Sequence, residues 1–196
     1  MRKGEATRHS VLEHALACCS RIGLSSLSIG RLADQLGMSK SGLFAHFKSK
    51  EALQLQVLER AAEEFLDDVV RPAFREPDGE PRIRRLFHNW VEWTRTNRHP
   101  GGCPFVQFSF ELDDQPGPLR DQLLRQQRGW MDILAEAAGR AVRQGHFRDD
   151  LDQKQFAHDL QSLMLGYHYS ARLMRSRDAR SRVEQSFESL IQQAKE

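Results

Sequence analysis

The chain is poor in what several protein classes require. Its three cysteines, Cys18, Cys19 and Cys103, supply neither a paired disulfide framework nor a two-by-two zinc spacing, so a reducing compartment is expected. No apolar run approaches the ~20 residues that a membrane span needs. The start, Met1-Arg2-Lys3-Gly4-Glu5, holds no apolar segment of the signal-peptide kind, and a cytoplasmic location without membrane contact is expected. No alternating run long enough for a strand occurs. A Gly-rich phosphate loop, a His-Glu-x-x-His pair and a nucleophile elbow are all missing. Asp113-Asp114 and Asp149-Asp150 fall in turns, where acids ordinarily serve as solvated caps, so no enzyme is expected.

What is present is a chain of 196 residues, 39% hydrophobic and 29% charged, enough to bury a substantial core. The net charge of +2 is unevenly spread. Up to Leu53 the basic residues Arg2, Lys3, Arg8, Arg21, Arg31, Lys40, Lys48 and Lys50 face only Glu5, Glu13, Asp34 and Glu51, which leaves the remainder mildly acidic. A basic head on an acidic body points to a polyanionic partner for the head alone.

Within that head, Ser28 to Lys50 reads as two short helices and a tight turn. Ser28 suits an N-cap; Leu32, Ala33 and Leu36 form a short stripe; Gly37 falls where the helix must end, since glycine takes positive φ without penalty. Ser39 caps a second helix whose Leu43 and Phe47, at i and i+4, face the first. Lys40, Ser41, Gly42, Phe44, Ala45 and His46 are left to face outward, a small, basic and hydroxylic surface suited to the DNA major groove. The spacing of Ala33, Gly37 and Leu43 matches a helix-turn-helix and also fits a plain corner between helices.

The remaining pattern is helical throughout. Leu12, Ala15, Leu16, Cys19 and Ile22 mark a supporting helix closed by Gly23, in which the adjacent cysteines point about 100° apart and act as small core residues rather than a redox pair. Ser49 caps a linker helix over 51–70, striped by Leu53, Val57, Ala61, Phe65 and Val69 and ended by Pro72. A loop over 71–81 leads to a helix with Ile83, Leu86, Phe87, Trp90 and Thr94. A short aromatic-rich helix follows over 103–112, then a long one from Pro118 to Gly145. Asp152 and Gln155 form a capping box for a helix striped by Phe156, Leu160, Met164 and Tyr167. Val183, Phe187, Leu190 and Ile191 mark the last. The expected fold is all-α with about nine helices, divided into a DNA-binding part over 1–50 and a helical body over 51–196.

The run Ser-Ile-x-x-Leu-Ala-x-x-Leu-Gly-Met-Ser-Lys-Ser-Gly-Leu-Phe-Ala-His-Phe-x-Ser-Lys-Glu-x-Leu resembles the N-terminal signature of tetracycline-repressor-like (TetR) transcriptional regulators, over roughly Thr7 to Val57. The body, with Gly145-His-Phe-Arg-Asp-Asp-Leu-Asp, is similar to that family's ligand-binding and dimerisation domain. The resemblance implies a ligand-responsive DNA-binding regulator, a repressor released from a near-palindromic operator on double-stranded DNA by a small molecule, and a homodimer held by the last two helices. It implies phosphate contacts at Ser28, His46 and Lys50, where helix N-termini and lysines bind phosphate without reading sequence. Base readout is expected from Lys40, Ser41 and Gly42, with Ser39 and Lys48 flanking them. The family commonly has tyrosine where this chain has Phe44, followed by a second aromatic where it has Ala45; a phenyl ring offers no hydroxyl to phosphate, and alanine leaves room for a thymine methyl. That departure keeps open an alternative, a protein-interaction module with weak or lost DNA binding.

For an effector, apolar or aromatic in character, the candidate contacts are Phe87, Trp90, Trp93, Cys103, Phe105, Phe108, Trp130, Leu134, Met164 and Tyr167, although aromatics at helical spacing commonly fill cores. His88, His99 and Cys103 make a poor metal set around a Pro-Gly-Gly turn, so neither metal nor cofactor is expected. Cys103, ahead of a helix start, is a candidate oxidation-sensitive thiol.

Overall fold

The computed structural model describes residues 3–196. Nine helices of eight residues or more are present among the described residues: α1 Lys3–Ile22, α2 Ile29–Leu36, α3 Lys40–Phe47, α4 Lys50–Phe65, α5 Glu80–Trp93, α6 Pro104–Leu112, α7 Pro118–Arg143, α8 Gln153–Arg172 and α9 Ala179–Lys195. No strand occurs among them, as the all-α expectation required.

The caps explain most boundaries. Ser28 Oγ accepts the Arg31 amide at 3.2 Å, Ser39 Oγ the Gly42 amide at 3.0 Å and Ser49 Oγ the Ala52 amide at 3.0 Å, each satisfying an otherwise orphan first-turn N–H. Gly37 closes α2 at φ 62°. Asp152 accepts from the amides of Lys154 and Gln155, but the Gln155 side chain reaches forward to Asp159 Oδ1 at 2.8 Å, so only half of the expected box forms.

The linker helix does not stop at Pro72. It widens into a π turn over Leu66–Val70, where the Arg71 amide reaches back to the Leu66 carbonyl, and adds a last turn at Arg71–Ala73. Proline is tolerated at the start of that turn because it needs no donor there. The Asn89 amide donates to the Val69 carbonyl at 2.9 Å.

Two compact units are formed. One comprises the chain up to Glu64 with Arg95–Arg125; the other comprises Phe65–Thr94 with Gln126–Glu196. A boundary at residue 50 therefore separates expected roles, whereas compactness gathers most of α4, all of α6 and the start of α7 with the first three helices.

In the first unit Leu16, Cys19, Leu32, Leu43, Phe47, Leu53 and Val57 are buried together with Phe108 of α6. Segment 95–103 approaches α1 closely. The Gly101 amide donates to Ser20 Oγ at 3.0 Å, and a Cβ on Gly101 would overlap the Ser20 carbonyl. Nearby, the buried Glu64 carboxylate accepts from Arg60 Nε at 2.8 Å, with His99 Nε2 at 3.2 Å and Arg98 at 3.6 Å. Burial pushes this carboxyl up, but His99 and the two guanidiniums outweigh it and hold it below the usual carboxylate range.

In the second unit α5 and α9 are joined by a stack of Phe87 on Phe187, centroids 4.0 Å apart and planes within 9°. Around it, Arg84 grips Glu188 through two nitrogens at 2.5 and 2.9 Å and Glu80 through Nε at 2.8 Å, while Lys195 reaches Glu80 at 2.9 Å. Arg180 reaches Glu92 at 2.7 Å.

On α8, His168 is half-buried, and burial, with Arg172 adding to it, pushes its imidazole down to about 4 from an ordinary 6.5. Between those values the unfolded chain binds a proton that the folded chain does not. Stability therefore falls as pH drops through that window and is independent of this group above it. The thermal midpoint, followed by circular dichroism from about pH 7 to about pH 4.5, is expected to fall, and less steeply in His168→Asn.

Candidate nucleic-acid interface

The surface that α3 turns outward is built by its inward one. Leu43 and Phe47 are fully buried, so the remaining faces of an eight-residue helix must be solvated. Lys40, Ser41, Phe44 and Ala45 are exposed, Gly42 and His46 half-exposed. Phe44 keeps 54% of its surface accessible, far more than a ring of this size keeps in a core. The Ser39 hydroxyl is engaged in its cap and stands 3.3 Å from Ser41 Oγ. The Lys40 stem leans back along α2: a Cβ on Gly30 would stand 3.4 Å from Lys40 Cε.

Beyond α3 the chain turns sharply. The Ser49 amide donates to the Phe47 carbonyl at 2.7 Å, two residues back, and Lys48 between them takes φ 62°, ψ −38°. This is a γ-turn with positive φ on a residue that carries a Cβ, a conformation proteins seldom use. The Lys48 side chain is exposed, and α4 starts two residues later.

The turn between α1 and α2 is held on both sides of its backbone. Gly23 adopts φ 78°. The amides of Leu24 and Ser25 then converge on the Glu111 carboxylate of α6, at 2.7 and 2.5 Å. The carbonyls of the same two residues accept from Gln54 Nε2 and Lys50 Nζ, each at 2.6 Å. Lys50 thus has a structural partner that its sequence position did not disclose, and two N–H groups remain on its ammonium. Glu111 is the single charged residue of α6; an isolated acid in an apolar, aromatic-rich helix was the available signal for it.

The expected effector contacts are all buried but fall in different units. Cys103, Phe105 and Phe108 belong to the first. Cys103, 2% exposed, occupies the N-cap position of α6, so the thiol is enclosed rather than displayed on a loop. Phe87, Trp90, Trp93, Trp130, Leu134, Met164 and Tyr167 belong to the second. Phe87 is committed to its stack. Phe65 sits edge-on to Trp93 and Trp130 at 5.6 and 5.0 Å, Trp90 edge-on to Tyr167 at 6.4 Å, and Trp130 Nε1 donates to Gln161 at 2.9 Å. A surface hollow of about 570 Å³ is lined instead by Glu80, Gly145, His146, Phe147, Arg148, Asp149 and Lys195; its Glu80 and Lys195 neutralise each other. Cys19, wholly buried, has a thiol pushed up to about 12, first by burial and then by Cys18 and Glu111, in keeping with a core residue.

A capped helix pair with a basic, hydroxylic outer face, carried on a helical body, defines a helix-turn-helix DNA-binding regulator. Residues 11–57 match the profile of bacterial regulatory proteins of the tetR family, and residues 79–187 match the tetracyclin repressor-like C-terminal domain. The chain belongs to the tetR family of transcriptional regulators. It is 26% identical over 180 residues to the HTH-type transcriptional repressor NemR of Escherichia coli, covering 87% of this chain and 88% of that one. It is also 26% identical over 152 residues to the repressor AcnR of Corynebacterium diphtheriae, covering 74% and 70%. In fold it is similar to a TetR regulator from Chloroflexus aurantiacus, with TM-score 0.86, 23% identity and coverage of 98% and 96%. AibR, solved with isovaleryl coenzyme A and operator DNA, superposes with TM-score 0.70 at 21% identity over 91% and 96% of the chains.

Proposed function

We propose that this chain acts as a homodimeric repressor, without catalysis, in which two α3 helices enter successive major grooves of a near-palindromic operator. The observation that carries this reading is the outer face of α3. A dimer has to set its two reading helices about one DNA turn apart, roughly 34–36 Å. The dimer face is assigned to α8 and α9. On α8, Ser162, Gly166, Tyr169 and Leu173 are exposed along one side, with Tyr169 at 56% and Leu173 at 69%. Small residues there allow a second helix close approach, and the two large apolar ones gain by being covered. The effector is assigned to the second unit, among Trp90, Trp130, Leu134, Met164 and Tyr167, which suits an apolar or aromatic small molecule. It releases DNA only by as much as it binds the non-binding arrangement better.

Within the head, Ser28, His46, Lys48 and Lys50 hold phosphate, while Lys40, Ser41 and Gly42 read bases, with Phe44 and Ala45 making apolar contact. Fluorescence anisotropy on DNA from the gene's own upstream region tests this. Tight, salt-dependent binding to one site is expected, and weak binding of equal strength to all sequences would favour the interaction module instead. Lys48→Ala is expected to weaken binding uniformly and to reduce the slope of log K against log salt by about one, whereas Lys40→Ala changes which sequence is preferred. Equal losses on every sequence for Lys40→Ala would remove it from base readout.

A further inference from the structure

We propose that Glu111 is a positioning residue for DNA recognition: its carboxylate fixes the α1–α2 turn, and through it the start of α2, so that the helix pair is held ready for one DNA site. This inference rests on the DNA-binding reading above.

The geometry is specific. Gly23 in the left-handed region turns two successive amides, Leu24 and Ser25, toward one point, forming a concavity for an anion, and Glu111 fills it with one oxygen on each amide at 2.7 and 2.5 Å. A Cβ on Gly23 would come within 2.5 Å of the same carboxylate, so this glycine serves the close approach as well as the φ. Lys50 and Gln54 hold the two carbonyls from the other side. Three residues beyond Ser25, Ser28 caps α2. With both faces of the turn fixed, α2 has little freedom to pivot, and the turn from α2 into α3 is as short as Gly37, Met38 and Ser39.

The anchor comes from outside the first three helices. Glu111 lies in segment Arg95–Arg125, which packs with the head but is joined at both ends, at residues 94 and 126, to chain of the other unit. The segment that carries Glu111 thus has two covalent connections to that unit, and its carboxylate reaches the turn ahead of α2 within the first.

The sign of the effect separates positioning from charge. Glu111 is an acid on a head that binds a polyanion, so neutralising it by electrostatics alone strengthens binding to every DNA. Positioning demands the reverse at the operator. The experiment selects a duplex from a random-sequence library with the wild-type protein, then measures anisotropy of wild type, Glu111→Gln and Glu111→Ala on that duplex and on a scrambled one. Glutamine keeps one acceptor for the two amides and alanine keeps none. Preference for the selected duplex over the scrambled one is expected to fall about tenfold in Glu111→Gln and further in Glu111→Ala, with an unchanged salt slope, because no phosphate contact is lost. A purely structural role would lower both affinities together through the folded fraction and leave the ratio alone. An unchanged ratio in Glu111→Ala overturns the proposal while the regulator reading stands. Failure of the wild type to select any duplex overturns both.

Discussion

Replacing Phe187 by alanine is expected to lower the thermal midpoint by roughly 6–20 °C, from a loss of about 3–5 kcal/mol. The ring is wholly buried and stacked on Phe87, so its removal loses both the transfer free energy of a large apolar group and the dispersion contacts of a flat partner left facing a void. The neighbouring charges do not compensate. The Arg84–Glu188 pair is partly exposed, and pairs in that setting contribute little beyond fixing geometry. Since α9 is docked by this stack, and α9 is one of the two helices assigned to the dimer, sedimentation at equal protein concentration should show dissociation well below the melting range. Phe187→Leu, which refills much of the volume, is expected to recover more than half of the loss. A midpoint within about 2 °C of wild type for the alanine variant would mean that the stack is not what docks α9.

Gly101→Ala is expected to reduce operator affinity strongly and to destabilise by about 1–3 kcal/mol, the usual cost of overpacking. The added methyl would overlap a backbone carbonyl, that of Ser20, which cannot swing aside as a side chain tip can. Either the last turn of α1 deforms or segment 95–103 lifts. Lifting would expose the Glu64 carboxylate and separate it from His99 and Arg98, leaving Arg60 to hold it alone. Hydrogen exchange would locate the damage, with faster exchange expected at residues 18–25 and 95–103 and none in α9. Uniform protection with wild-type affinity would show that the close approach is dispensable.

Local signals were legible in the sequence, and distant ones were not. Ser28, Ser39, Ser49 and Asp152 could be read as caps because a cap is decided within four residues. Gly23, Gly37 and Gly145 could be read as helix ends because they take positive φ. The linker helix runs past Pro72 because proline bars a helix interior but not the first turn of a new one, and the π turn ahead of it leaves no pattern in the residues themselves. Glu111 sits 87 residues from Leu24, and no periodicity links an acid in α6 to two amides in a turn. Separation along the chain likewise hid Gly101, whose requirement is space rather than backbone angle, and the buried Glu64–His99 pair. For the outer face of α3, exposure followed directly from the burial of Leu43 and Phe47, and so most of the candidate DNA surface was visible before the fold was.

Lys48 sets two demands on one residue against each other. The γ-turn joining α3 to α4 would be relaxed by glycine, which takes positive φ without a steric penalty, yet glycine would remove a cation from the surface proposed to meet DNA. A search for stabilising substitutions guided by backbone angles would choose this position early and, on the proposed phosphate contact, would trade DNA affinity for folding stability. The residue best suited to the turn is not the one best suited to the polyanion.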